Sequence, residues 1–88
     1  MLRKTLTIKN KLGLHARAAA KLVKTASKYL SKIEITANDK TVPAKSIMGV
    51  MLLAASKGTK IKLVADGPDS QEAITALTKL INNKFDEE

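Results

Sequence analysis

Leu2-Arg3-Lys4-Thr5-Leu6-Thr7-Ile8, followed by Gly13-Leu14-His15-Ala16-Arg17-Ala18-Ala19-Ala20-Lys21-Leu22-Val23, is the stretch that decides how this chain folds. In the first run Leu2, Leu6 and Ile8 face one way while Arg3, Thr5 and Thr7 face the other, the two-residue period of a half-buried strand. The strand ends near Lys9, and Asn10-Lys11-Leu12-Gly13-Leu14 reads as a loop with Gly13 as its tight-turn residue. From His15 to about Ser27 the spacing becomes helical, with Ala19, Leu22, Val23, Ala26 and Leu30 on one face. Arg17, Lys21, Lys24 and Lys28 form a basic stripe on another face of that helix.

Beyond this start, Ile33, Ile35 and Ala37 alternate with Lys32, Glu34 and Thr36, and Asn38-Asp39 turns the chain into a short strand from Lys40 to Val42. Pro43 limits that strand. Ser46 is a good N-cap for a short helix, Ile47 to Ala55, that is apolar nearly all the way round and is ended by Lys57-Gly58. Lys60, Lys62 and Val64 alternate with Ile61, Leu63 and Ala65 as a last strand, and Gly67-Pro68 breaks it. Asp69 to Glu72 has capping-box spacing and opens a helix that buries Ala73, Ile74, Leu77, Leu80 and Ile81. The order β-α-β-β-α-β-α predicts an α+β fold, one sheet with the two longer, clearly amphipathic helices packed on one face. Residues 1–88 are expected to form a single domain, too short for two independent cores.

Composition removes several classes of function. No run approaches the roughly 18 consecutive apolar residues of a membrane span, and the start opens into the strand pattern rather than a signal-peptide core. Zero cysteines exclude disulfides and thiolate metal sites, and one histidine cannot supply a zinc cluster, so neither metal nor cofactor is expected. A cytoplasmic protein without membrane insertion is the expectation. Residues 1–62 hold 14 Lys or Arg against Glu34 and Asp39, a net +12, whereas residues 63–88 carry Lys79 and Lys84 against six acids, a net −4. Such a field steers an acidic partner without choosing among nucleic acid, membrane surface and protein.

His15 sits where the loop meets the first helical turn, so unpaired backbone N–H groups at that end point toward whatever its ring carries. Arg17 is close enough to donate to phosphate oxygens in a fork. An imidazole with a reference pKa near ~6.5 is largely neutral at pH 7, leaving one ring nitrogen as a nucleophile. Two readings of His15 stand side by side: a residue that caps or packs at a helix end, or one that handles phosphate. Hydrolytic machinery is absent, with no G-x-S-x-G, P-loop or HExxH pattern.

The string Gly13 to Val23 resembles the active-site motif of the HPr family, the histidine phosphocarriers of the bacterial phosphotransferase system. Lys45-Ser46-Ile47-Met48-Gly49-Val50-Met51-Leu52-Leu53 is similar to that family's second signature, and the likeness covers nearly the whole chain. The resemblance implies an open-faced β-sandwich of four antiparallel strands backed by three helices. It implies a phosphoryl group carried on Nδ1 of His15, received from enzyme I and ultimately from phosphoenolpyruvate. The group then passes to IIA proteins or domains, in sugar uptake or in a nitrogen-related regulatory branch. Arg17 would stabilise charge on the group in transit. A carrier with a covalent phosphohistidine, rather than a stand-alone enzyme, is what this describes. Ala18 departs from the proline many family members have there; alanine is a good helix former that removes no donor.

The Met-rich helix has too many apolar sides for so small a domain to bury, and exposed apolar surface marks a partner, with core packing of all of them as the alternative. By resemblance, Ile47, Met48, Met51 and Leu52 join Ala16, Ala20 and Lys24 in a docking face around His15. Ser46 matches the serine that an HPr kinase/phosphorylase modifies in part of the family, although serine is also an ordinary N-cap. A monomer is expected. The rival is a small basic nucleic-acid-binding module, against which composition argues: Tyr29, read on a helix, and Phe85 are the aromatics, and sheets that stack bases need aromatics on strands.

Overall fold

In the computed structural model, which describes residues 1–87, the elements run β1 (Leu2–Thr7), α1 (Ala16–Ala26), β2 (Lys32–Ala37), β3 (Lys40–Pro43), α2 (Ile47–Leu52), β4 (Lys60–Asp66) and α3 (Ser70–Asn82). A tight turn over Lys84–Asp86 follows. The four strands form one antiparallel sheet in the order β1-β4-β2-β3. The expected open-faced sandwich is therefore the observed architecture, with the three helices covering one face.

Strand alternation builds the core. β4 lies between β1 and β2, pairing Leu6 with Ile61 on one side and Ile35 with Leu63 on the other. Ile33, Ile35, Ile61, Leu63 and Ala65 are buried against Ala19, Leu22 and Ala26 of α1 and Ala73, Leu77 and Ile81 of α3, while Leu80 is only half-buried. The β2–β3 hairpin turns through Asn38 and Asp39 at φ 51° and 65°, left-handed positions that Asn and Asp tolerate. Pro43 ends β3, and its missing N–H is harmless on an edge strand.

Several expectations need correction. Leu30 does not extend the buried face of α1; it is 83% exposed. The helix stops at Ala26, and the Asp69 carboxylate accepts the backbone N–H groups of Leu30 (2.7 Å) and Ser31 (2.9 Å), which turns residues 27–31 toward β2 and Leu30 outward. Tyr29 accordingly lies in that turn, half-buried, rather than on the helix. Asp69 makes no capping bond to α3, because the Ser31 hydroxyl (2.5 Å) and these N–H groups occupy its oxygens. Finally, α2 ends at Leu52, not Ala55. Lys40 Nζ donates to the Leu52 carbonyl (3.2 Å) and Asn38 Nδ2 to that of Leu53 (2.9 Å), and Ala54 reverses the chain at φ 51°. That reversal lets both Leu53 and Ala55 be buried.

Candidate functional site

The loop between β1 and α1 is stitched to the segment after α2. Ile8 donates to Thr59 O (2.9 Å), Gly58 to Ile8 O (2.8 Å) and Leu14 to Ala55 O (2.9 Å). Gly13 adopts φ +66°, and a Cβ there would stand 2.5 Å from the Ala55 carbonyl oxygen and 2.8 Å from Ser56 Cα. Only glycine meets both demands. The buried Leu14 then hands the chain to His15, which is the N-cap of α1 with extended backbone, its carbonyl accepting from Ala19 N at 2.8 Å.

As the cap, His15 uses its ring. Nδ1 accepts the backbone N–H of Arg17 at 3.3 Å, so a lone pair on Nδ1 faces the positive end of the helix. An accepting Nδ1 assigns the ring proton to Nε2. Nε2 is in direct contact with Oε2 of Glu87. Glu87 Oε1 accepts from Asn10 Nδ2 (3.0 Å), and Asn10 also donates to Gly13 O (2.7 Å) from a fully buried position. Burial pushes the Glu87 carboxyl up, but the hydrogen bonds from Asn10 and His15, with the fields of His15 and Arg17, more than offset this and leave it below its ordinary value.

Glu87 arrives by an unusual route. Lys84, Phe85 and Asp86 take φ values of 56°, 54° and 60°, consecutive left-handed positions that side chains disfavour. Phe85 is completely buried beneath them, and Lys21 Nζ donates to its carbonyl at 2.7 Å. Lys21 therefore leaves the solvent-facing basic stripe expected for α1 and becomes half-buried, tying that helix to the segment after α3.

The His15 side chain is 23% exposed. The Arg17 side chain is exposed and lines a shallow hollow with Lys11, Leu12 and Glu87. Ala16, Ala20 and Lys24 are exposed at one helical face of α1. Ile47, Met48, Met51 and Leu52 are exposed on α2, at 44%, 73%, 42% and 62%, while Gly49 and Val50 between them are buried. The alternative that all of these apolar residues are core is thus excluded. Ser46 caps α2, its hydroxyl accepting from Gly49 N at 3.0 Å. Glu87, Asn10 and Leu12, the last 65% exposed, join the site without having been anticipated; the only sequence signals were acidic charge after α3 and a leucine in the glycine loop. Neither Tyr29 nor Phe85 lies on a strand, so no aromatic platform for bases exists among the described residues.

Comparison with known proteins converges on one family. A family model described as the PTS HPr component phosphorylation site matches residues 2–83. The phosphocarrier protein HPr of Neisseria meningitidis serogroup A is 55% identical over 87 residues, covering 99% of this chain and 98% of that protein. HPr of Xylella fastidiosa (strain Temecula1) is 54% identical over 88 residues, covering 100% and 99%. Among solved structures, HPr-C-His from Thermoanaerobacter tengcongensis superposes with a TM-score of 0.96 at 55% identity, covering 100% of this chain and 99% of that one. An HPr dimer from the same organism superposes at 0.77 and covers 97% and 98%. A histidine presenting one ring nitrogen at a helix start, on a sheet of this order and with relatives of this closeness, places the chain in the HPr family, the phosphocarriers of the phosphotransferase system.

Proposed function

We propose that Nδ1 of His15 accepts a phosphoryl group from phosphorylated enzyme I and passes it to a IIA protein or domain, in sugar uptake or in a nitrogen-related regulatory branch. The observation that carries this reading is the lone pair of Nδ1 held at the N-terminus of α1 while Nε2 is engaged elsewhere. An oxygen-rich group on Nδ1 would replace the ring as acceptor of the first N–H groups of the helix, and the exposed Arg17 guanidinium would close on it from the solvent side. The backbone donors sit in place before the reaction, so their share in stabilising the transferring charge needs little reorganisation, whereas the guanidinium moves in from solvent.

Ala16, Ala20, Lys24, Ile47, Met48, Met51 and Leu52 serve as the docking face for both partners. Flexible methionines suit a surface that must fit two different proteins in turn. The exchange takes place in the cytoplasm, with one copy as the working unit. Ser46 is a regulatory site for an ATP-dependent HPr kinase/phosphorylase. A phosphate there keeps a favourable place at the helix start but sets two charges beside exposed Ile47 and Met48, which weakens docking.

Incubation with phosphoenolpyruvate and enzyme I tests the main claim. An acid-labile, base-stable adduct is expected on His15, and none on a folded His15→Ala variant; no adduct with active enzyme I overturns it. For Ser46, Ser46→Ala is expected to cost about 1 kcal/mol of stability through the lost cap and to leave transfer intact, whereas Ser46→Asp slows acceptance at His15. Equal transfer rates in the two variants would remove Ser46 from regulation.

A further inference from the structure

We propose that Glu87 is a positioning residue for phosphoryl transfer: its carboxylate holds the proton of His15 on Nε2 and thereby selects Nδ1 as the atom that carries the group. The proposal rests on the assignment of Nδ1 above and adds the group that makes the assignment.

Three connected observations support it. The carboxylate touches Nε2 directly, and its side chain is only 8% exposed, so little water competes for the contact. Its second oxygen is fixed by the buried Asn10 amide, which spends its other N–H on Gly13 O in the loop that holds His15. The same side chain thus reads both the ring and the loop that carries the ring. Behind it, buried Phe85 and the Lys21 bond to the Phe85 carbonyl hold residues 84–86 in consecutive left-handed conformations that no local preference would produce. A segment merely lying on the surface would not adopt them.

The chemistry follows from the two edges of an imidazole. A neutral ring exchanges its proton between Nδ1 and Nε2, and only the form with the proton on Nε2 has a lone pair on Nδ1. In acceptance, that lone pair forms the N–P bond while the bond from phosphorus to the donor breaks, its electron pair leaving on the donor. Nε2 keeps its proton, so the ring becomes an imidazolium whose charge lies against the Glu87 carboxylate. In donation a nucleophile of the accepting IIA protein or domain forms a bond to phosphorus while the N–P bond breaks and its pair returns to Nδ1. No proton moves in either direction, and the carboxylate offsets ring charge in both. A carboxylate paired with a catalytic histidine plays the same part in hydrolytic triads.

The test compares the full chain with Glu87→Gln and with a chain ending at Asp86, which retains the Phe85 anchor. Nitrogen-15 shifts of the His15 ring at about pH 8, above the ordinary histidine pKa of ~6.5, report the tautomer without any partner protein. The full chain is expected to hold the proton on Nε2, and both variants to show averaged nitrogens, because glutamine can donate as well as accept. Transfer from phosphorylated enzyme I is expected to slow at least about tenfold in both, the lower end of what losing a hydrogen-bond partner that orients a functional histidine costs, with the concentration for half-maximal rate unchanged. Unaltered nitrogen shifts or unaltered rates overturn the proposal, and faster transfer in either variant overturns it by marking the segment as an obstruction. A full chain that takes no phosphoryl group refutes the carrier assignment alone, since the ring nitrogens still decide whether Glu87 sets the tautomer.

Discussion

Arg17 contributes to the site twice, through a backbone N–H given to the histidine ring and through a guanidinium left in solvent. Only the second is removable by substitution. Arg17→Ala is expected to slow phosphoryl transfer about a hundredfold, the scale of losing one donor to a transition-state charge. Its unfolding midpoint should stay close to that of the parent, because the lost side chain is exposed and alanine favours the helix. Rapid-quench transfer from phosphorylated enzyme I measures the first and thermal unfolding the second; a loss of transfer that tracks a loss of fold would count against a direct role. Ala18, where many HPr proteins have proline, is fully buried against the core. Its place beneath the cap makes it a packing residue, consistent with a departure that leaves the ring and the donors untouched.

Elements come together at the site through two loops rather than through the helices themselves. The β1–α1 loop rests on the backbone of Ala55 and Ser56, and the early stop of α2 is what brings that backbone there. Gly13→Ala would force a left-handed alanine into contact with a carbonyl oxygen. A loss of about 2 kcal/mol or more in unfolding free energy is expected, together with slower transfer as the His15 cap is displaced. Urea titration followed by circular dichroism checks the first, and a parent-like midpoint would show that the loop can move away. The same principle explains the end of α2. Apolar periodicity runs on to Ala55, but side chains of the β2–β3 hairpin bind the carbonyls of Leu52 and Leu53, and local propensity has no knowledge of them.

At the scale of the whole molecule, Asp69 ties the turn after α1 to the start of α3. Its carboxyl is held below the ordinary range, first by the Ser31 hydroxyl and then by the Leu30 N–H, with partial burial opposing and the Ser31 N–H adding to them. Because the folded value is depressed, the unfolded chain binds this proton more readily. The contribution to stability is therefore full above the unfolded carboxylate value of ~3.9 and disappears as pH falls through the folded value. Urea unfolding between neutral and acid pH should show this loss in the parent and a flatter profile in Asp69→Asn, which should also be less stable at neutral pH. Parallel profiles would remove Asp69 from the acid response.

Periods of two and 3.6, the glycine and Asn-Asp turns and the Ser46 cap were all readable along the chain, because each is set by residues within a few positions of one another. The same holds for His15, Arg17 and the surplus of apolar side chains on α2. Sequence by itself therefore determined the order of the elements, the residue at the helix mouth and the family to which they belong. Tertiary structure alone decided what completes the site: the His15 contact with Glu87 joins residues 72 positions apart, through a left-handed segment that only a buried Phe85 and a lysine on another helix sustain. It also decided that Asp69 serves the Ser31 turn rather than its own helix, and that α2 stops at Leu52. For Asp69 and for the carbonyls that end α2, a polar group with a local partner on paper was taken by a distant one, and for His15 a distant carboxylate took the ring nitrogen that had no local partner, because packing the core brings distant groups together and shields them from water.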